Sequence, residues 1–183
     1  MAAGRGDITV EERARRVKLL LFDVDGVLTD GIVTMHADGS ESKGFHIKDG
    51  AAIVWAQRAG LPVGLLSSRS SGATAHRAAQ LAVRVVRQGV TSKATAFDQI
   101  LKDANVTEDA VSYMGDDLLD LPVLSRCGLA AAPADAVEEV RAAVDWVSTV
   151  AGGRGAVREL IEVVLRAQGR WAAVVAEHGG GQH

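Results

Sequence analysis

The stretch LLLFDVDGVLTDG, Leu19 to Gly31, places three aspartates, Asp23, Asp25 and Asp30, directly behind four apolar residues. Further along, GDDLLD supplies Asp116, Asp117 and Asp120, while Ser67, Ser68, Arg69 and Lys93 add hydroxyls and cations. Carboxylates crowded into a cleft repel, and some stay protonated unless a cation sits among them. A hard divalent ion removes the conflict, and Mg2+ favours one or two carboxylates together with water and phosphate oxygens. On this reading Asp23 and Asp116 are direct metal ligands, and Asp25 offers its backbone carbonyl while its side chain stays free. Asp117 and Asp120 support the metal shell from outside it. Lys93 and Arg69 then hold a phosphate dianion against the metal, with the Ser67 hydroxyl on a remaining oxygen.

Each of these residues also has a plainer explanation. An Asp after a strand is often a cap or turn residue, Arg69 fits a solvated loop charge, and Lys93 fits a first-turn helix lysine. D-x-D-G also opens a calcium-binding EF-hand loop, but that loop needs an oxygen ligand at its fifth position and Glu at its twelfth. Here those positions are Val27 and Thr34. The chain has no G-x-x-x-x-G-K-[ST], which excludes nucleotide hydrolysis by a P-loop. What outweighs the plainer explanations is convergence of these groups on one edge of a sheet.

That sheet is legible from the elements. Lys18–Val24 reads as a fully buried strand, a continuous apolar run without alternation. The segments LPVGLL, VRVV, AVSYM and GLAAA read as further strands, with DWVST as an edge strand. Between them DGAAIVWAQRAG, GATAHRAAQLA, SKATAFDQILKDA, AVEEVRAAV and GAVRELIEVVLRAQG read as helices, and LLDLPVLSRC as a helical turn. Asp38-Gly39 between two β-prone pieces predicts a hairpin flap. Thr9 and Glu12 form a capping box opening a short first helix. The fold class is therefore α/β, a Rossmann-like parallel sheet with helices on both faces, a hairpin flap and no cap domain. In such sheets the ligand lies beyond the carboxyl ends of the strands, where Asp23-Val24-Asp25, Ser67-Ser68-Arg69, Lys93 and Gly115-Asp116-Asp117 all fall.

The 183 residues suffice for one domain with a real core. A net charge of −3 makes no electrostatic case for nucleic acid or an anionic membrane. The lone Cys127 excludes an internal disulfide and fits a reducing compartment, and MAAGRGDITVEERARR lacks the apolar stretch of a secretory signal. A cytoplasmic protein is expected. Trp55, Trp146 and Trp171 read as core or interface aromatics. His36, His76, His178 and His183 show no metal spacing.

FDVDGVLTDG, LSSR, QGVTSK and GDDLLD, in this order, resemble the four motifs of the haloacid dehalogenase superfamily of aspartate-nucleophile phosphatases. Within it HIKDG, GDDLLDLPVL and AGGRGAVRELIEVVLRAQG resemble the capless 3-deoxy-D-manno-octulosonate 8-phosphate phosphatases, over roughly Lys18 to Gly169. The resemblance implies residues 1–17 as an N-terminal extension, 18–170 as the phosphatase domain with a flap over about 31–48, and 171–183 as a flexible tail. It implies Asp23 as the nucleophile that forms an aspartyl-phosphate, and Asp25 as the general acid and then base. Asp23, the Asp25 carbonyl and Asp116 become the Mg2+ ligands, and Ser67 and Lys93 the phosphate-binding pair. His46, Ile47, Lys48, Asp49, Gly50, Arg69 and Arg77 match positions that contact substrate.

Two departures stand out. Ser67-Ser68 replaces the more usual Thr-Gly, and Val54 falls where the octulosonate enzymes carry an arginine. The second keeps a nonulosonate 9-phosphate, of the sialic-acid kind, as an alternative substrate. A catalytically silent scaffold is a third reading, opposed by the intact Asp23, Asp25, Lys93 and Asp116 set. The sugar could serve lipopolysaccharide or capsule synthesis.

No gap between the motifs can hold a cap domain, so the lid must come from another chain. An isolated hairpin is marginal in water, and flap residues Ile32 to Phe45 should pair with neighbouring copies. The resemblance implies a homotetramer with active sites at subunit interfaces. It also leads to the expectation that Arg154 orders the C-terminal segment near substrate, and that the closing GGGQH is mobile while the site is empty.

Overall fold

The computed structural model of the chain describes residues 8–179. Six parallel strands form one sheet: β1 Leu19–Phe22, β4 Val63–Leu66, β5 Val85–Arg87, β6 Val111–Met114, β7 Leu129–Ala132 and β8 Trp146–Val147. Their order is β5-β4-β1-β6-β7-β8. Successive residues of the inner strands are buried on opposite faces, which is why LLLF, VGLL, VSYM and LAAA read as unbroken apolar runs. Leu20, Phe22 and Met114 face a core made with helices α1 Val10–Arg16, α2 Ile47–Arg58, α3 Gly72–Gln80 and α7 Ala156–Ala167. Leu19, Leu21 and Tyr113 face the opposite core, made with α4 Lys93–Ala104, α5 Leu121–Leu124 and α6 Glu138–Ala143.

The strand order reverses between β1 and β6, so the crevice of this sheet opens at their carboxyl ends. Above it stands the flap, β2 Thr34–Met35 paired antiparallel with β3 Glu41–Ser42. The turn between them carries Gly39 at φ +82°, where an L side chain is strained.

Two boundary expectations are corrected. The N-terminal segment is not an appendage from Thr9 onward. The Thr9–Glu12 capping box forms, Ala14 and Val17 are core residues, and Gln168 caps the helix by donating to Ala14 O and Val17 O. Nor does a flexible tail begin at 171. Trp171–Glu177 is helix α8, held by an edge-on contact of Trp171 with Trp55, by buried Val174 and by Trp55 Nε1–H donating to His178 Nε2 at 3.1 Å. WAAVVAE favours helix by composition, and Trp55 gives that helix a face to cover. From Gly180 on, the GGGQH segment lies outside the described residues. No helix among the described residues is long and apolar enough to cross a membrane.

Candidate active site

Asp23 continues the ladder beyond β1: its N–H donates to Met114 O at 3.0 Å, which fixes the backbone between two central strands. Its carboxylate is gripped from both sides. Val24 N–H donates to Oδ1 at 2.7 Å, and Lys93 Nζ sits 2.8 Å from Oδ2. Lys93 is the first residue of α4, whose cap Ser92 accepts from Thr95 N–H and so sets the direction of the first turn. Beyond Asp23 the chain turns sharply, as Val24 O accepts from the N–H groups of Val27, Leu28 and Thr29 and Gly26 takes φ +84°.

Across the crevice, Asp120 is fully buried and has both oxygens engaged. Oδ1 accepts from Lys93 Nζ at 2.6 Å and from the Tyr113 hydroxyl, and Oδ2 accepts from Asp116 N–H at 2.9 Å and Asp117 N–H at 3.2 Å. The Asp117 side chain accepts from Leu118 N–H and caps the short turn Leu118–Asp120. Asp116 is different, because its Oδ1 is buried and among the described residues accepts no hydrogen bond. Oxygens of Asp23, Asp116 and Asp120 lie within 4.8 Å of one another. With Asp120 already saturated, Asp23 and Asp116 have oxygen to give.

The electrostatics follow from that crowding. Burial, followed by the charge of Asp120, raises Asp23 to about 6 against the pull of Lys93. Burial, then Asp23 and Asp120, raises Asp116 to about 8. Lys93 would lose its proton more readily from burial alone, yet Asp23 and Asp120 outweigh burial and hold it charged. Burial and then Asp120 keep the Tyr113 phenol protonated. A site of hard oxygens that holds protons this tightly, with an unpartnered buried Asp116 Oδ1, fits a divalent cation such as Mg2+. The close approach needs a glycine at 26, since a Cβ there would fall 1.9 Å from Asp116 Oδ2.

Asp23, Asp25, Ser67, Arg69, Lys93, Asp116, Asp117 and Asp120 all line one cleft of about 270 Å³, with Gly26, Gly31, Ser68 and Leu119. Residues from four loops at one sheet edge thus meet. The flap also reaches this cleft: Lys43 Nζ is 2.6 Å from Asp25 Oδ1, and Arg69 Nη2 donates to Glu41 Oε2 at 3.0 Å. Lys43, Glu41 and Tyr113 were missed from the sequence. Glu41 and Lys43 are two apart in extended chain and share a face, which is the one signal that points to them.

Other expected substrate contacts lie elsewhere in this chain. His46 and Gly50 border a small apolar crevice with Arg77, whose guanidinium lies against Gly50, where a Cβ would come within 2.2 Å of Nη2. Ile47 and Lys48 face solvent. Asp49 is buried and accepts Arg158 N–H at 2.8 Å, serving the first turn of α7. Val54 borders an open groove between α2 and α3, apart from the Asp23 cleft. Arg154 is exposed and pairs with Asp30 at 3.4 Å, neither of them lining the Asp23 cleft. The neighbouring glycines buttress the loop after β1: Gly153 N–H donates to Val27 O at 2.9 Å, and a Cβ on Gly152 would fall 1.8 Å from Gly26 O.

A parallel α/β sheet with clustered carboxylates and a buried lysine at its switch point defines a class of α/β protein built to hold a divalent metal beside an anionic group. Residues 66–160 match the haloacid dehalogenase-like hydrolase family. The 3-deoxy-D-manno-octulosonate 8-phosphate phosphatase KdsC of Escherichia coli K12 is 39% identical over 158 residues, covering 86% of this chain and 84% of that protein. Its counterpart in Haemophilus influenzae is 39% identical over 161 residues, covering 88% of this chain and 89% of the relative. The crystal structure of the Moraxella catarrhalis phosphatase in complex with magnesium, phosphate and KDO superposes with a TM-score of 0.90, at 32% identity over 92% of this chain and 97% of that one. The chain belongs to the haloacid dehalogenase-like hydrolases.

Proposed function

We propose that the protein hydrolyses 3-deoxy-D-manno-octulosonate 8-phosphate through an aspartyl-phosphate on Asp23. The observation that carries this reading is the Asp23–Lys93–Asp120 arrangement facing Asp116 and Asp25 in one cleft. Relatives that act on this sugar phosphate, similar over most of both chains, supply the substrate. Asp23 attacks phosphorus in line, forming the Asp23 Oδ–P bond as the P–O bond to the sugar breaks. Asp25 gives its proton to the departing sugar oxygen, then takes one from the water that attacks phosphorus and frees Asp23. Ser67 and Lys93 hold the phosphoryl oxygens, and Arg69 faces the same space from the rim.

Asp23, Asp116 and the Asp25 carbonyl would hold Mg2+, with Asp120 and Asp117 ordering the loop that carries Asp116. The ion supplies charge that offsets the phosphate and the carboxylate approaching it.

His46 to Gly50, Arg77 and Arg154 lie outside the Asp23 cleft of their own chain, so we assign any part in sugar binding to a site shared between subunits. The exposed Ile32, Met35 and Ile47, on or beside the flap, support a homotetramer built through the flaps. Light scattering on the purified protein should give four chains, and a fully active monomer would refute shared sites. A cytoplasmic location agrees with a single, buried cysteine, Cys127, that forms no disulfide.

The test of function is phosphate release from a panel of sugar phosphates with Mg2+ and then with EDTA. The octulosonate 8-phosphate should give the highest kcat/KM, and activity should vanish with the metal. A higher kcat/KM for a nonulosonate 9-phosphate would replace the substrate, an outcome that Val54 in the arginine's place makes worth measuring.

A further inference from the structure

Asp25 differs from the other carboxylates of the cleft in what holds it. Asp23 accepts a backbone N–H, and Asp120 accepts two of them and a phenol. Both oxygens of Asp25 are buried, and among the described residues neither accepts a hydrogen bond. Two cations face them instead: Lys43 Nζ 2.6 Å from Oδ1, and Arg69 Nε 3.6 Å from Oδ2. These cations are unequal. The Arg69 side chain is 52% exposed, so water screens a contact that is already long. The Lys43 side chain is 1% exposed. An ammonium buried to that extent has given up its hydration and needs anions in return. It finds Asp25, and Glu41 at 3.9 Å, while Glu41 also holds Arg69. The result is a ring of two anions and two cations, Asp25–Lys43–Glu41–Arg69.

We propose that Lys43 is a positioning residue for proton transfer at Asp25, acting from the chain's own flap. Its ammonium fixes Oδ1 and leaves Oδ2 to meet the bridging oxygen of the phosphate ester. The proton passes from Asp25 to that oxygen as the P–O bond breaks, and Lys43 keeps its own protons throughout. The placement also explains how so short a hairpin stays down. Two paired residues per strand do not hold a hairpin in water, and the buried ion pair ties its returning strand to the loop after β1. The inference rests on the phosphatase reading, in which Asp25 carries the proton.

The test uses the full chain with Mg2+ and the octulosonate 8-phosphate. Lys43→Met keeps the length and apolar stem and removes the charge. It should lower kcat about 10- to 100-fold, part of what a positioned acid–base group contributes. KM should change by less than about three-fold, because the phosphate grip is untouched. An unchanged kcat, or a loss confined to KM, overturns the proposal. Calorimetry of Mg2+-dependent beryllofluoride binding checks the Asp23 end of the site. Wild-type-like binding with low kcat supports positioning, and loss of binding together with kcat overturns it.

Mixing subunits tests which chain's flap acts. Lys43→Met chains co-refolded with Asp23→Asn chains should stay at the activity of Lys43→Met alone. Recovery would place Lys43 over a neighbour's Asp25 and overturn the cis assignment. Asp23→Asn by itself separates the two levels: turnover there sinks the phosphatase reading, whereas an inactive Asp23→Asn beside a fully active Lys43→Met sinks only this inference.

Discussion

Asp23 and Asp25 stand two residues apart, are held by different partners, and have surroundings that suit the two roles proposed for them. Asp23 is pinned by Val24 N–H and Lys93, with its backbone locked to Met114, which suits a nucleophile that must present one oxygen in line. Asp25 sits beside the flap, held among the described residues by ion pairs alone, which suits a group that must exchange a proton with a departing and then an arriving oxygen. Asp23→Asn should therefore abolish phosphate release, since an amide cannot form the acyl-phosphate. Asp25→Asn should slow it by about 10²–10⁴-fold, while beryllofluoride still binds with Mg2+. Turnover near the wild-type rate in the Asp23 variant would remove the covalent mechanism. From D-x-D at a strand end alone only a metal-binding carboxylate and a free one were legible, and the two catalytic roles came from the resemblance of FDVDGVLTDG to a family motif. The saturation of Asp120 was not legible, because four hydrogen bonds to one side chain come from Lys93, Tyr113 and two amides that only the fold brings together.

Elements explain why the strands could be read and the edges could not. LLLF, VGLL, VSYM and LAAA are buried on both faces, so their composition alone marks them. Helix α8 owes its place to Trp55 on α2, over a hundred residues earlier, and Lys43 owes its burial to a hairpin of two-residue strands folding onto Asp25. Such long-range partners leave no local period. AGGRG was legible only as part of a resemblance, and its physical task lies in the loop that follows β1. Gly152 presses on Gly26 O so closely that a Cβ would fall 1.8 Å away, and the neighbour is backbone that cannot swing aside. Gly152→Ala must shift the 24–30 loop and with it Asp25. We expect a loss of about 1–3 kcal/mol in unfolding free energy from overpacking. Displacing Asp25 by about 1 Å should also lower kcat by up to about 100-fold. Gly72→Ala, where a Cβ meets nothing within 4 Å, is the control and should leave both nearly unchanged. Chemical denaturation and phosphate release read the two effects, and a Gly152→Ala protein as active as the control would free the loop of its buttress.

At the scale of the whole molecule, the cleft is a store of negative charge that folding concentrates around the buried ammonium of Lys93. Asp23 is raised to about 6 and Asp116 to about 8, each by burial first and by neighbouring carboxylates next. In the unfolded chain both return to the ordinary value of 3.8. Between those limits the folded, metal-free protein binds more protons than the unfolded chain, so its stability falls as pH rises. The contribution is complete below the unfolded value and is lost as the pH passes through the two folded ones. Mg2+ takes the place of the protons, so the stability it adds should grow over the same range. Melting temperatures measured in EDTA should decline from about pH 5 to about pH 8.5 as the two carboxyls ionise against each other. The same series in Mg2+ should decline less, and the gap between the curves should widen through the interval from about 6 to about 8 set by Asp23 and Asp116. A gap that stays constant with pH would mean that the ion binds away from these carboxylates. Asp116→Asn removes the group with the higher of the two values, so in that variant the gap should shrink and its growth above about pH 7 should disappear.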